Sequence, residues 1–181
     1  MVRYRRNFLP GGTYFFTVTL ADRHLTMLVD HVAALRAAFR AARRERPFSI
    51  DAIVILPDHL HVIFTLPLGD ADFPGRWRRI KGHFSQTLLD QGMRLDRRSN
   101  GRMALWQSRF WEHTIRNEVD FERHVDYIHF NPVKHRWVSR VSDWPHSSFH
   151  RYVREGILPH DWAGDARPDG DDFGERREDW R

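Results

Sequence analysis

Apolar residues fill the central stretch IVILPDHLHVIFTLP on both sides of two histidines that stand one residue apart. Runs of β-branched and aromatic residues between turn residues predict β-strands. Three such runs lie at 12–20, 48–56 and 59–67, and the last two, separated by Pro-Asp, predict a hairpin. The stretch MALWQSRFWEHTI, at 103–115, predicts a further extended segment.

Apolar residues at helical spacing predict three helices, at 31–46, 72–91 and 117–131. The first has its apolar residues at Val32, Leu35 and Phe39 and is closed by Pro47. In the third, Asn117 can cap the start. Pro132 disfavours helical geometry at the residue before it, so the helix is predicted to end near Asn131.

The order of these elements is βαββαβ followed by a third helix. It predicts an α+β fold, a ferredoxin-like antiparallel sheet with two helices on one face plus a C-terminal helix. We predict a single domain over residues 1–153. Residues 154–181 are polar and predict a flexible C-terminal tail.

The net charge of +5 is unevenly distributed. Residues 160–181 carry 8 acidic and 4 basic side chains, so the first 159 carry 25 basic against 16 acidic. A basic body with 13 Phe, 7 Trp and 4 Tyr suits a nucleic-acid-binding protein, since cations meet phosphates and rings stack on bases. The alternative is a general use of arginine without any nucleic-acid partner.

The absence of cysteine excludes disulfides, thiolate zinc sites and a cysteine nucleophile. The basic start lacks the apolar region of a signal peptide. No apolar run approaches the roughly 18 residues of a membrane span. These features predict a cytoplasmic protein without a membrane partner.

In a strand, residues i and i+2 point to the same face, so His59 and His61 are expected to project together. Asp58 is expected to point to the other face. Two neutral imidazoles form half of a divalent-cation site. The alternative is that one histidine is hydrogen-bonded and the other exposed.

The third helix carries two stripes. Phe121, Val125 and Ile128 form an apolar stripe that should face the sheet. A polar stripe follows about a quarter turn away and consists of Asp120, His124, Tyr127 and Asn131. Tyr127 and Asn131 are therefore expected at the edge of the buried face, beside the sheet. The alternative for Tyr127 is a boundary tyrosine with its hydroxyl in water.

Four motifs in order carry a family resemblance: HLH, then LWQSRFWEHTIRNE, YIHFNPVKH and WPHSSFHRY. Over roughly residues 8–153 the chain resembles the single-tyrosine HUH transposases, in particular their REP-associated branch. The resemblance implies that His59, His61 and Asn131 hold Mg²⁺ or Mn²⁺ and that Tyr127 is the nucleophile. It also implies nicking and rejoining of single-stranded hairpin DNA through a 5′-phosphotyrosine, by a monomer or a homodimer.

Other residues have candidate supporting roles. His124, one turn before Tyr127, could accept its proton. Basic residues that could contact DNA phosphates are Arg3, Arg5, Arg6, Arg76, Arg78, Arg79 and Lys81. Trp77 is expected in the core, and Trp106, Trp111, Trp144 and the WPHSSF segment are expected to be structural. Two other functions stay open: a single-stranded nucleic-acid-binding protein without catalysis, and a metallohydrolase that uses water.

Overall fold

A four-stranded antiparallel sheet forms the centre of the protein, as predicted. The computed structural model describes residues 6–97, 99, 101 and 103–163. The strands are β1 Thr13–Thr19, β2 Ser49–Ile55, β3 His59–Thr65 and β4 Trp111–Thr114. Their order across the sheet is β2-β3-β1-β4, which makes β1 and β3 central and confirms the ferredoxin-like fold.

Five α-helices and a short 3-10 turn at Val141–Asp143 accompany the sheet in the described ranges. The helices are α1 Met27–Asp30, α2 Val32–Glu45, α3 Phe73–Asp90, α4 Glu118–Lys134 and α5 Phe149–Arg154. The side chains of Asp72 and Asn117 cap α3 and α4 by accepting backbone N–H bonds. Within the same ranges, no helix has both the length and the apolar character needed to cross a membrane.

Helices cover both faces of the sheet. Leu60, Val62 and Phe64 of β3 pack with α2 and α3 in the larger apolar cluster. On the opposite face, Ile63 of β3 packs with α4 and the segment that follows it. Since alternate residues of β3 meet different layers, the strand is buried on both sides, and this explains its nearly continuous apolar sequence.

The extended segment predicted at 103–115 forms a strand only over Trp111–Thr114. An isolated bridge pairs Trp106 with Leu20, and the residues between do not continue the ladder. Here the chain packs large side chains against α3: the ring of Trp106 lies 5.6 Å from Phe84, and that of Phe110 lies 5.9 Å from Trp77. The prediction was therefore too long because tertiary packing interrupts the strand.

Helix α4 runs to Lys134, beyond its predicted end at Asn131, and includes Pro132. A proline removes one backbone donor, but only the last turn is affected here. The chain closes this turn with a bond from the His135 N–H to the Asn131 carbonyl and another from the Trp137 N–H to the Pro132 carbonyl. The extension places Lys134 on the same helix as Tyr127.

The segment after α4 anchors the outer edge of the sheet. The Ile55 N–H donates to the His146 carbonyl, and the Ser148 N–H donates to the Ile53 carbonyl. Trp144 donates its Nε1–H to the Ile55 carbonyl at 3.0 Å. The WPHSSF segment is thus structural, as predicted. The division at residue 153 stays a prediction, because residues 164–181 lie outside the described ranges.

Candidate active site

The two histidines of β3 lie side by side on the face that α4 covers. His59 is 2% exposed and His61 is fully buried. Their ring centroids are 5.0 Å apart. The strand alternation therefore places both imidazoles together, as predicted, and burial rules out the alternative in which one of them is exposed.

Hydrogen bonds from neighbouring residues fix both rings through Nδ1. His59 Nδ1 lies 2.7 Å from Asp58 Oδ1, and His61 Nδ1 lies 2.9 Å from Thr17 Oγ1. Arg23 in turn binds Asp58. A carboxylate only accepts, so Nδ1 of His59 carries a proton, and in the neutral ring the lone pair is on Nε2. This is the tautomer that a metal-binding histidine needs when Nε2 is the ligand atom.

Asp58 corrects a prediction, because its side chain contacts His59 instead of pointing away from it. Asp58 precedes the first residue of β3, so the alternation of the strand does not govern its direction. Burial alone would raise the pKa of its carboxyl, but bonds and charges from His59 and Arg23 outweigh burial and lower the pKa to about 2. Asp58 is therefore ionised at neutral pH and orients the histidine.

Tyr127 of α4 meets this pair within the same chain. Its ring centroid lies 5.1 Å from that of His61, and the residue is only 3% exposed. Asn131, one turn later, is fully buried. The helical stripe thus brings Tyr127 to the histidine face of the sheet and buries Asn131 one turn later, and burial rules out a Tyr127 hydroxyl directed into water.

Two residues of this site were not foreseen. Lys134 Nζ donates a hydrogen bond of 3.0 Å to the Tyr127 hydroxyl and lies 4.4 Å from the centre of its ring. The ring of His135 lies 5.1 Å from that of His59. Spacing i, i+7 places Lys134 on the stripe of Tyr127, so a helix extended through Pro132 would have revealed it.

His124 lies one turn before Tyr127 on α4, where it contacts both the sheet and the first turn of the helix. Its ring lies 4.8 Å from Phe15 and 4.6 Å from His113. Its Nδ1 lies 2.7 Å from the Asp120 carbonyl oxygen, which can only accept, so Nδ1 carries a proton. Burial lowers the pKa of this imidazole, and the charge of His113 adds to the effect against the opposing contribution of Asp120.

The predicted DNA-contacting residues separate into different environments. Arg76 is fully buried and binds Asp70 and the Pro47 carbonyl, so it holds the core and is unsuited to a phosphate. Arg79 pairs with Glu45 at 2.8 Å. Helical position alone could not separate these arginines from accessible ones, because segments distant in the sequence determine which side chains of α3 are buried or paired. Arg3 and Arg5 lie outside the described residues.

Arg6, Arg78 and Lys81 instead line one cleft of about 630 Å³. Its walls include Trp106 and Phe110. Lys81 Nζ lies 5.4 Å from the Trp106 ring, and the Arg6 guanidinium lies 4.5 Å from the Phe110 ring. The cleft thus combines cations with aromatic surface. Trp77 also lines it but is 1% exposed and belongs to the core, as predicted.

Comparison with known proteins identifies the class. The family model described as Transposase IS200 like matches residues 12–131. This match spans β1 to the last turn of α4 and includes both histidines, Tyr127 and Asn131. The chain belongs to the IS200-like transposases.

Relatives narrow the assignment to the REP-associated tyrosine transposases, the branch that the sequence resembled. The REP-associated tyrosine transposase of Escherichia coli (strain K12) is 50% identical over 166 residues, 92% of this chain and 93% of that protein. A Haemophilus influenzae protein is 43% identical, with 91% and 94% covered. A solved REP-associated tyrosine transposase, bound to a REP hairpin, superposes with a TM-score of 0.85 at 49% identity, covering 97% of this chain and 98% of that one.

Proposed function

We propose that this transposase nicks and rejoins single-stranded hairpin DNA with Tyr127 as its nucleophile. One observation carries the proposal: the buried Tyr127 ring lies 5.1 Å from His61, and its hydroxyl accepts a bond from Lys134. A hydroxyl beside a cation and a pair of oriented imidazoles is arranged for attack on an anionic ester. The hairpin substrate is inferred from the solved relative bound to a REP hairpin.

The donor set of the site fits a divalent cation. Two imidazoles held through Nδ1 lie on β3, Asn131 lies one turn after Tyr127 on the helix that covers them, and all three residues are almost completely buried. Mg²⁺ or Mn²⁺ held by His59, His61 and Asn131 would supply positive charge to the scissile phosphate. Three neutral ligands leave that charge undiminished. The Asp58 carboxylate would not touch the ion and instead orients His59 through its bond to Nδ1.

Tyr127 would attack phosphorus through its phenolic oxygen. The bond between phosphorus and the 3′ oxygen breaks, the 3′ end leaves as a hydroxyl, and a 5′-phosphotyrosine remains. A tyrosine hydroxyl has a pKa near 10, so it needs help to react at neutral pH. The Lys134 ammonium stabilises the developing phenolate. The proposed proton acceptor is His124. Its Nδ1–H donates a hydrogen bond to the Asp120 carbonyl oxygen, so the lone pair that could take the tyrosine proton is on Nε2.

The reaction conserves the energy of the phosphodiester, so a 3′-hydroxyl can attack the phosphotyrosine and rejoin DNA. Because the histidine pair and Tyr127 meet within one chain, we infer that a monomer can assemble the active site.

Arg6, Arg78 and Lys81 are the proposed phosphate contacts. The residues that bind DNA in this cleft would then differ from those that cleave the phosphodiester bond. The proposed place of action is the cytoplasm, where chromosomal hairpins occur.

The first test is a covalent-adduct assay on the full chain. Labelled single-stranded hairpins from repeats flanking the gene are incubated with Mn²⁺ or Mg²⁺ and separated on a denaturing protein gel. We expect a labelled protein band in wild type and in Tyr152→Phe, and none in Tyr127→Phe. Tyr152 is the matched control, since its hydroxyl bonds to the Asp51 carbonyl, away from the site.

The other functions give different results in the same assay. Tight binding without any band, across several hairpins, would favour a nucleic-acid-binding protein without catalysis. Free cut ends without a protein band would favour a metallohydrolase. An equal band in Tyr127→Phe would exclude Tyr127 as the nucleophile.

A further inference from the structure

A second cluster of metal-binding side chains lies at the junction of β4 and α4, apart from the histidine pair of β3. His113 belongs to β4, and Asp120 and His124 belong to the first turns of α4. One nitrogen of each imidazole and one Asp120 oxygen all lie within 4.8 Å of one another. The His113 and Asp120 side chains are 21% and 18% exposed, so an ion and a water molecule can reach them.

The spacing of these atoms approaches that around a tetrahedral metal ion. Zn²⁺ lies about 2.0–2.2 Å from imidazole nitrogen and carboxylate oxygen, which puts neighbouring ligand atoms about 3.3 Å apart. Asp120 Oδ1 lies 3.2 Å from His113 Nε2 and 3.3 Å from His124 Nδ1. Two imidazoles and a carboxylate, with water as the fourth ligand, form a donor set typical of Zn²⁺.

Surrounding contacts hold the cluster in this shape. The Arg116 N–H donates to Asp120 Oδ2 at 2.9 Å. The rings of His113 and His124 stack at 4.6 Å, and Trp111 stacks on the outer side of His113 at 6.0 Å. An ion bound here would displace the proton shared between His113 and Asp120 and also the Nδ1 proton that His124 donates to the Asp120 carbonyl oxygen.

This cluster is separate from the pair of histidines on β3. The buried Phe15 ring contacts both groups, at 4.8 Å from His124 and 5.6 Å from His61, and it offers no ligand atom. The geometry points to a second transition-metal site of the Zn²⁺ class, formed by His113, Asp120 and His124, that ties β4 to the helix carrying Tyr127. The inference rests on this geometry and not on the DNA chemistry proposed above. An ion on His124 Nδ1 would leave the ring proton on Nε2, so bound metal and the role of His124 as proton acceptor exclude each other.

The test is a Co²⁺ titration of the metal-free full chain, followed by visible absorption, with Zn²⁺ added afterwards as competitor. The His59→Gln/His61→Gln double variant removes the β3 histidines and leaves the cluster intact. We expect it to bind one equivalent of Co²⁺ with an absorption typical of low coordination number, and Zn²⁺ to displace it. Adding His113→Gln or Asp120→Asn should weaken binding at least 100-fold. Adding His24→Gln, at an exposed histidine, should not.

Absence of Co²⁺ binding to the double variant would overturn the inference, and this arm does not depend on how the cluster variants fold. Unchanged affinity in both His113→Gln and Asp120→Asn would overturn it as well. The single variants distinguish the two sites. If the β3 site fails, wild type binds one equivalent that His113→Gln removes. If the new site fails, wild type binds one equivalent that only His59→Gln or His61→Gln removes.

Discussion

The two faces of strand β3 show how one strand serves two purposes. On one face, Phe64 packs against Phe48 at 4.4 Å and Trp77 at 5.0 Å, within the larger apolar cluster. On the other face, His59 and His61 lie equally deep but are held by hydrogen bonds. Both faces exclude water, yet among the side chains of β3 only those on the α4 face can bind an ion or move a proton.

Stability and function depend on different faces of β3. Burial of apolar surface stabilises the face covered by α2 and α3. Buried polar groups on the α4 face must be hydrogen-bonded to offset the loss of water, and they contribute little net stability. Substitutions of neighbouring β3 residues should therefore have different consequences. On the α2/α3 face they should lower stability, and on the α4 face they should lower DNA cleavage.

The largest effect is expected for His61→Ala. Removing one of two imidazoles should lower DNA cleavage by at least about 1,000-fold, because the proposed cation would stabilise the transition state by several kcal/mol. Hairpin binding should persist, since the proposed phosphate contacts lie in the Arg78 cleft. Cleavage kinetics and a binding titration at saturating Mn²⁺ measure the two quantities. Cleavage at the wild-type rate would remove His61 from the site.

Phe64→Ala tests the opposite face of the same strand. The lost packing should lower the free energy of unfolding by about 3–5 kcal/mol. Urea unfolding followed by circular dichroism measures this change. Cleavage per folded molecule, assayed at low temperature, should stay within a few-fold of wild type. A small loss of stability together with lost cleavage would contradict the division between the two faces.

Lys134→Met probes the unforeseen partner of Tyr127. Loss of one charge-assisted hydrogen bond to the phenolate should slow adduct formation by about 10- to 100-fold at saturating DNA. Lys134→Arg, which keeps a cationic donor, should recover part of the rate. Lys81→Met is the matched control and should weaken hairpin binding without slowing the bound reaction. Equal rates in Lys134→Met and wild type would leave Lys134 a packing residue.

The smallest effect concerns His129, a buried histidine of α4 that contacts Ser148 Oγ at 3.0 Å. Burial, with the charges of Arg151 and His150, lowers its pKa to about 3, from about 6.5 in the unfolded chain. Between these values only the unfolded chain binds the proton, so stability falls as pH falls below 6.5. At pH 5.5 the loss should be about 1.4 kcal/mol.

Urea unfolding at pH 7.5 and 5.5 checks this sign and size. His129→Gln should reduce the loss of stability between the two pH values, whereas His24→Gln, at an exposed position, should not. An identical pH dependence in wild type and His129→Gln would mean that the imidazole takes up its proton inside the fold.

Sequence patterns alone were enough to predict the order of elements along the chain, the class of fold and the faces on which the central site residues lie. Strand alternation placed His59 and His61 on one face, and helical periodicity placed Tyr127 and Asn131 on one stripe. Both periodicities are properties of the local backbone, so they survive whatever the distant residues do. The family motifs contain the same four residues, and the family match confirmed the resemblance.

The partners of these residues depend on how distant segments pack together. This packing buried Arg76 and left Arg78 in a cleft, although both lie on the same predicted helix. It also paired Thr17 with His61, 44 positions apart, and brought His113 of β4 to Asp120. Burial and hydrogen bonding depend on which segments meet in space, and local periodicity does not contain that information.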